Sequence, residues 1–183
     1  MSDQSRAGQF EEIALPHLAA AYNLARWLIH SDQDAEDVVQ EAFMRAFKSF
    51  NGYYGGNSRA WLLTIVRNTS YTWLHKNRLL THADPIDDKL DELGLDFSDP
   101  EVLLLRSVDA QIVRAALQEL PVEFREVMVL REMEELSYKE IANVVDLPLG
   151  TVMSRLARGR KRLQALLAKH MGKEASIELS TNA

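Results

Sequence analysis

Residues 81–110 carry nine acidic side chains and only two basic ones, Lys89 and Arg106. Within them, residues 81–99 are poor in aromatics and show no apolar stripe at helical spacing. Such a stretch cannot seal a core, and it reads as a flexible acidic linker. The rest of the chain is thereby divided into blocks of about 80 and about 65 residues, each of which must bury its own apolar surface.

Both blocks are helical in pattern. Only eight glycines and five prolines interrupt 183 residues, sustained period-2 alternation is absent, and apolar side chains return every three or four positions. The spacing predicts a first helix over 10–29, with Ile13, Leu18, Ala21, Leu24, Ala25 and Leu28 facing inward. Ser31 suits the N-cap of a second helix, with Asp32 and Asp34 in its first turn. One face of that helix carries Ala35, Val38, Val39, Ala42, Phe43, Ala46, Phe47 and Phe50. The other shows Glu36, Asp37, Gln40, Glu41, Arg45 and Lys48. Residues 51–58, with Gly52, Gly55 and Gly56, form a loop. A third helix over about 59–78 buries Trp61, Leu62, Ile65 and Val66. Beyond the linker, Asp99-Pro100 has the form of an N-cap followed by proline at the first helical position. That helix runs to about Leu120, and Pro121 opens another that reaches about Glu134. The expected fold is all-α, two small helical domains joined by the acidic linker.

A net charge of −6 would argue against a nucleic-acid partner only if it were evenly spread. Residues 42–83 contain no acid, and neither do residues 147–173. Attraction to phosphate follows the local field of a patch, so the acidic middle leaves two DNA-compatible surfaces intact. The polar N-terminus lacks the apolar segment of a signal peptide, and no run approaches the ~18 apolar residues of a membrane span. With no cysteine in the chain, a cytoplasmic protein without membrane insertion is expected. Five histidines (His17, His30, His75, His82, His170) include no pair at metal-binding spacing. No phosphate loop or nucleophile elbow occurs either. Neither enzymatic activity nor a metal or cofactor is expected.

Ser137-Tyr-Lys-Glu140 has the form of a capping box. The short helix after it offers Ile141, Ala142 and Val145 to a core. Ala142 is small enough for a close crossing with the next helix. Asp146-Leu-Pro-Leu-Gly150 reads as a turn with Leu147 pinned inward, and Thr151 as the cap of a second helix. Val152, Leu156 and Leu163 face the core of that helix, while Met153, Ser154, Arg155, Arg158, Lys161 and Arg162 form its outer surface. Together these features describe a helix-turn-helix whose second helix enters the major groove, early residues on bases and basic flank on phosphates.

In the first block, Arg45, Lys48, Arg59, Arg67, Lys76 and Arg78 are interleaved with aromatics. Basic groups follow a phosphate backbone, and exposed aromatics stack unpaired bases. Phe43, Phe47, Phe50 and Trp61 lie on apolar faces and read as core. Tyr53, Tyr54, Tyr71 and Trp73 stay open to either role.

Two motifs carry a family resemblance. Asp34-Ala-Glu-Asp-Val-Val-Gln-Glu-Ala-Phe43 resembles the region 2 signature of extracytoplasmic-function (ECF) sigma factors. Leu120-Pro121, Ser137-Tyr-Lys-Glu-Ile-Ala142 and Gly150-Thr-Val-Met-Ser-Arg-Leu156 resemble their region 4. The similarity spans about residues 10–170 in order and spacing. It implies region 2 over 1–80, a linker over 81–108 that threads the polymerase channels, region 4 over 109–171, and a polar tail over 172–183. It further implies that Asp37, Gln40 and Glu41 dock on the clamp helices of the largest subunit of core RNA polymerase. In the loop, Asn51, Tyr53, Tyr54, Asn57 and Ser58 match the segment that captures a flipped base of the melted −10 element. Asn68, Tyr71 and Thr72 match readers of neighbouring −10 bases. Thr151, Met153, Ser154, Arg155 and Arg158 match the helix that reads the −35 element, with Arg160 and Lys161 on phosphates. Core RNA polymerase, promoter DNA and an anti-sigma factor are the partners this resemblance implies.

A dimeric helix-turn-helix regulator acting without polymerase is the alternative, with residues 1–80 as its effector or dimerisation domain. It predicts a symmetric operator footprint, and the acid-free, aromatic-rich segment 42–83 speaks against it. An adaptor or anti-sigma protein using the same surfaces as decoys would fail to direct initiation.

Overall fold

The computed structural model describes residues 3–81 and 110–181. The linker expected beyond Thr81 and the helix start expected at Asp99-Pro100 lie outside the described residues. Those that are described form eight α-helices, with no strand among them.

The first domain comprises α1 (Asp3–Ala14), α2 (Leu18–Ile29), α3 (Asp32–Ser49) and α4 (Ser58–Thr81). The single helix expected over 10–29 is two, broken by a 3-10 turn at Leu15–His17. Pro16 lacks the N–H that a continuous helix would need there. The break also changes the phase of the apolar stripe. Ala21, Leu24, Ala25 and Leu28 are buried as expected, but Leu18 is exposed. Ser31 caps α3, its side chain accepting from the Asp34 N–H. That cap directs Ala35, Val38, Val39, Ala42 and Ala46 into the core against Leu62, Leu63 and Val66 of α4.

The second domain comprises α5 (Ala110–Glu119), α6 (Val122–Met128), α7 (Tyr138–Val145) and α8 (Leu149–Thr181). After α6 the chain widens into a π-helical turn, Val129–Met133. Ile112, Leu117, Val127, Leu130, Ile141, Val144, Val152, Leu156 and Leu163 fill its core. Gly159 lets α8 lie close on α6, because a Cβ there would stand 3.2 Å from Met128 Cγ and 3.4 Å from Phe124 Cβ. The polar tail expected from residue 172 begins inside α8, which continues to Thr181. The two domains pack directly on one another, α2 against α6 and α4 against α7.

Candidate nucleic-acid and polymerase interface

The capping box forms as read. Ser137 Oγ accepts from the Glu140 N–H at 3.3 Å, and Glu140 Oε2 accepts from the Ser137 N–H at 2.7 Å. These bonds hold the Glu140 carboxyl below its usual range. Asp146, in the left-handed region at φ 54°, closes α7. Leu147 turns inward, half-buried. The next helix starts earlier than expected. Leu149 and Gly150 already belong to α8, and the Pro148 carbonyl accepts from the N–H groups of Thr151 and Val152 at 3.0 and 3.1 Å. Thr151 is therefore a half-buried first-turn residue and not the cap.

The outward flank of α8 begins with Met153, 47% exposed. Arg158 and Lys161 are exposed and Ser154 is half-buried, its hydroxyl donating to the Thr151 carbonyl at 3.0 Å. Arg160 donates to Glu132 at 2.9 Å. Arg155 and Arg162 depart from the outward placement expected of them. Arg155 lies three residues after Val152 and four before Gly159, at the border of the buried stripe. It turns inward and pairs with Glu126 at 3.1 Å. Arg162 lays its guanidinium over the Phe124 ring, 4.7 Å from the centroid.

On the first domain, Asp37, Gln40 and Glu41 share an exposed face of α3, where Glu41 pairs with Arg45 one turn on at 2.7 Å. The aromatics sort as physical chemistry demands. Phe10, a residue the sequence reading passed over, is the hub, edge-on to Phe43, Phe47 and Phe50 at 6.3, 5.3 and 5.5 Å. Tyr53 joins this cluster, 4.8 Å from Trp61, and its hydroxyl donates to the Gly56 carbonyl at 3.0 Å. Tyr54 stands at the loop tip, 96% exposed. Gly55 and Gly56 follow at φ 93° and 96°, a backbone that side chains resist. Asn51 is exposed. Asn57 caps α4 by accepting from the Ala60 N–H at 3.0 Å. Ser58 is half-buried, 2.9 Å from His17 Nε2. On α4, Asn68 and Thr72 are exposed, whereas Tyr71 is half-buried with Arg67 stacked 4.1 Å over its ring. Trp73 is half-buried against the core.

Between the domains lies a constellation the sequence did not announce. Three charged side chains are buried among the described residues: Arg125, Glu126 and Glu134. All three reach the first domain. Glu126 accepts from Arg67 at 2.9 and 3.4 Å. Glu134 accepts from Asn23 at 2.6 Å and also pairs with Arg59. Arg125 donates to the Leu120 carbonyl at 2.6 Å and reaches the Leu28 carbonyl at 3.4 Å. Asn57 adds a hydrogen bond to Glu140.

Comparison with known proteins gives this geometry its relatives. Sigma-70 region 2 matches residues 14–79, and sigma-70 region 4 matches residues 110–163. The ECF RNA polymerase sigma factor SigE of Mycolicibacterium smegmatis is 36% identical over 174 residues, covering 94% of this chain and 67% of that protein. The RNA polymerase sigma-H factor of Pseudomonas aeruginosa is 33% identical, covering 86% of this chain and 88% of that one. Among solved structures, the sigma factor RpoE of Bartonella quintana, in complex with the anti-sigma factor NepR, superposes with a TM-score of 0.68 at 30% identity. That match covers 87% of this chain and 97% of the other.

Proposed function

The chain belongs to the ECF RNA polymerase sigma factors, and from that premise we propose how its two domains divide promoter-specific transcription initiation. In this reading α3 docks on core RNA polymerase through Asp37, Gln40 and Glu41. The loop around Tyr54, with Asn51, Asn57 and Ser58, and the exposed edge of α4 at Asn68 and Thr72 hold the melted −10 strand, which Tyr71 joins once uncovered. The start of α8, from Thr151 to Lys161, reads duplex −35 DNA. The observation that carries this division is the pairing of one exposed acidic face on α3 with an acid-free flank on α8, on separate domains.

The chemistry is binding, not catalysis. Contacts made only with separated strands lower the free energy of the open state relative to the closed duplex, and so favour melting. Each domain alone binds weakly, and tethering both on polymerase raises the effective concentration of the second contact. The enzyme supplies electrostatics that a chain of net charge −6 lacks. Core polymerase and promoter DNA place the protein's work in the cytoplasm. An anti-sigma factor is its expected regulator, as the relative bound to NepR has one.

A purified run-off assay with core polymerase and a promoter library tests this. Specific transcripts should appear with the chain and core together and be lost with Asp37→Asn combined with Glu41→Gln. Tight, sequence-specific promoter binding by the free chain, with a symmetric footprint, would overturn it.

A further inference from the structure

Arg125 carries a charge that its own surroundings do not neutralise. It is 5% exposed, and among the described residues its guanidinium donates to backbone carbonyls alone: Gln118 at 3.1 Å, Leu120 at 2.6 Å and Leu28 at 3.4 Å. Its Nε is buried without a hydrogen-bond partner. Burial pulls its pKa down to about 10, against the opposing pull of Tyr71 and Glu123. A guanidinium taken out of water with no carboxylate in contact is costly, and a nearby anion would relieve that cost.

Beside Arg125 the surface opens into a cavity of about 250 Å³. It is lined by Arg26, Trp27, His30 and Asp32 of the first domain and by Arg114 and Gln118 of the second. The Arg125 bonds to the Gln118 and Leu28 carbonyls set its charge directly behind this lining. Asp32 is the one carboxylate there, and Arg26 Nε already holds it at 2.7 Å. That contact leaves the terminal nitrogens of Arg26 with their donors. Arg114 is exposed and has no ion pair among the described residues. Three guanidinium groups thus gather around one carboxylate. His30 registers the same field, its pKa lowered to about 4 by burial and then by the Arg125 charge.

Guanidinium forks match the oxygens of a phosphate, which they bind through paired charge-assisted hydrogen bonds. The cavity is slightly smaller than the ~300–1,000 Å³ of ordinary ligand pockets, so it suits a phosphate with a modest organic part. Trp27, half-buried, offers that part a flat apolar wall. We propose that this cavity binds the phosphate group of a small molecule between Arg26 and Arg114, with the Gln118 amide as a neutral donor. None of its lining residues belongs to the surfaces assigned above to polymerase or promoter, so the site is a further one and stands or falls apart from them.

The full chain, held at constant ionic strength, is titrated with inorganic phosphate and separately with adenosine monophosphate. Calorimetry gives the affinity, and the His30 ring, assigned in NMR spectra with His30→Asn, reports the location. At least one probe should bind, raise the melting temperature, and lift the His30 pKa from about 4 toward its ordinary value, because an anion offsets the Arg125 field. The tighter probe identifies the source as free phosphate or a phosphate ester. Arg114→Ala, at an exposed position, should weaken binding about 10- to 100-fold, and Arg114→Lys should recover part of the loss. The site is overturned if neither probe moves the His30 ring, or if Arg114→Ala binds as the parent does. A short non-promoter duplex that shifts the ring when neither small probe does would overturn it too, and would assign the cavity to a nucleic-acid backbone.

Discussion

Arg155 and Glu126 lie 3.1 Å apart on neighbouring helices of the second domain, and the carboxylate they share with Arg67 is wholly buried. One of the side chains the sequence assigns to base reading is thus half-buried and held by a carboxylate of its own domain. Met153, Arg158 and Lys161 on the outer flank of α8 are exposed. That contrast makes the roles of individual residues separable by experiment.

Lys161→Ala should weaken all promoters alike and lower the slope of log affinity against log salt by about one, the signature of a lost phosphate contact. Arg155→Ala should behave differently. Transcription from the preferred −35 sequence should fall about 5- to 100-fold, while a promoter with a mismatched −35 element changes little. Run-off yields from the paired promoters measure both. A uniform loss in the arginine variant would assign Arg155 to structure alone.

Tyr53 and Tyr54 are adjacent yet should fail in opposite ways. Tyr54→Ala removes a fully solvated ring and should leave the melting temperature within about 2 °C, as surface changes do. Permanganate reactivity of the melted −10 thymines should drop. Tyr53→Ala takes a ring out of the Phe50–Trp61 cluster and should cost about 1–3 kcal/mol of folding stability. Thermal unfolding of both variants beside the parent separates the two roles.

His30 should set part of the acid limit of stability. It ends α2 at φ 65°, and its pKa is lowered to about 4, first by burial and then by the Arg125 charge across the interface. The unfolded chain takes up a proton near pH 6.5 that the folded chain refuses. Stability is therefore full above pH 6.5 and declines as pH falls toward about 4. His30→Asn keeps a residue that tolerates this backbone and should flatten the decline. His17, also depressed, by burial and then by Arg59, leaves some of it. Melting temperatures at pH 7.5, 6 and 5 give the comparison, and an unchanged acid slope would clear His30 of the effect.

Gly159→Ala should be nearly neutral. The flexible Met128 side chain can yield a few tenths of an ångström, and alanine's helix propensity offsets the crowding by about 1 kcal/mol. Gly159→Val meets Phe124 Cβ as well and should cost about 1–3 kcal/mol by forcing α8 off α6. Denaturant midpoints for the pair report the difference.

Local signals in the sequence carried what local physics builds. Ser31, the Ser137–Glu140 box and the buried Val152, Leu156 and Leu163 all declare themselves within one or two turns. The expectation for Arg155 failed because periodicity assigns polar side chains to water by default. Its partner Glu126 lies 29 residues away, and Arg67 a further 59 from that carboxylate, beyond any pattern a helix can display. In the structure residues 124–130 are buried without a break, so α6 is enclosed and the charges within it take partners from elsewhere. The break at Pro16 was legible too, since proline alone dictates it.

The length of α8 has a mechanical consequence. Thirty-three helical residues at 1.5 Å each make a rod of about 50 Å, with the proposed −35-reading residues at one end. A tilt of about 10° in the groove would swing the far end by roughly 9 Å. Under the proposed reading, small angular differences between one −35 sequence and another are amplified, along a single element, into displacements large enough for a probe at the far end of the rod to register.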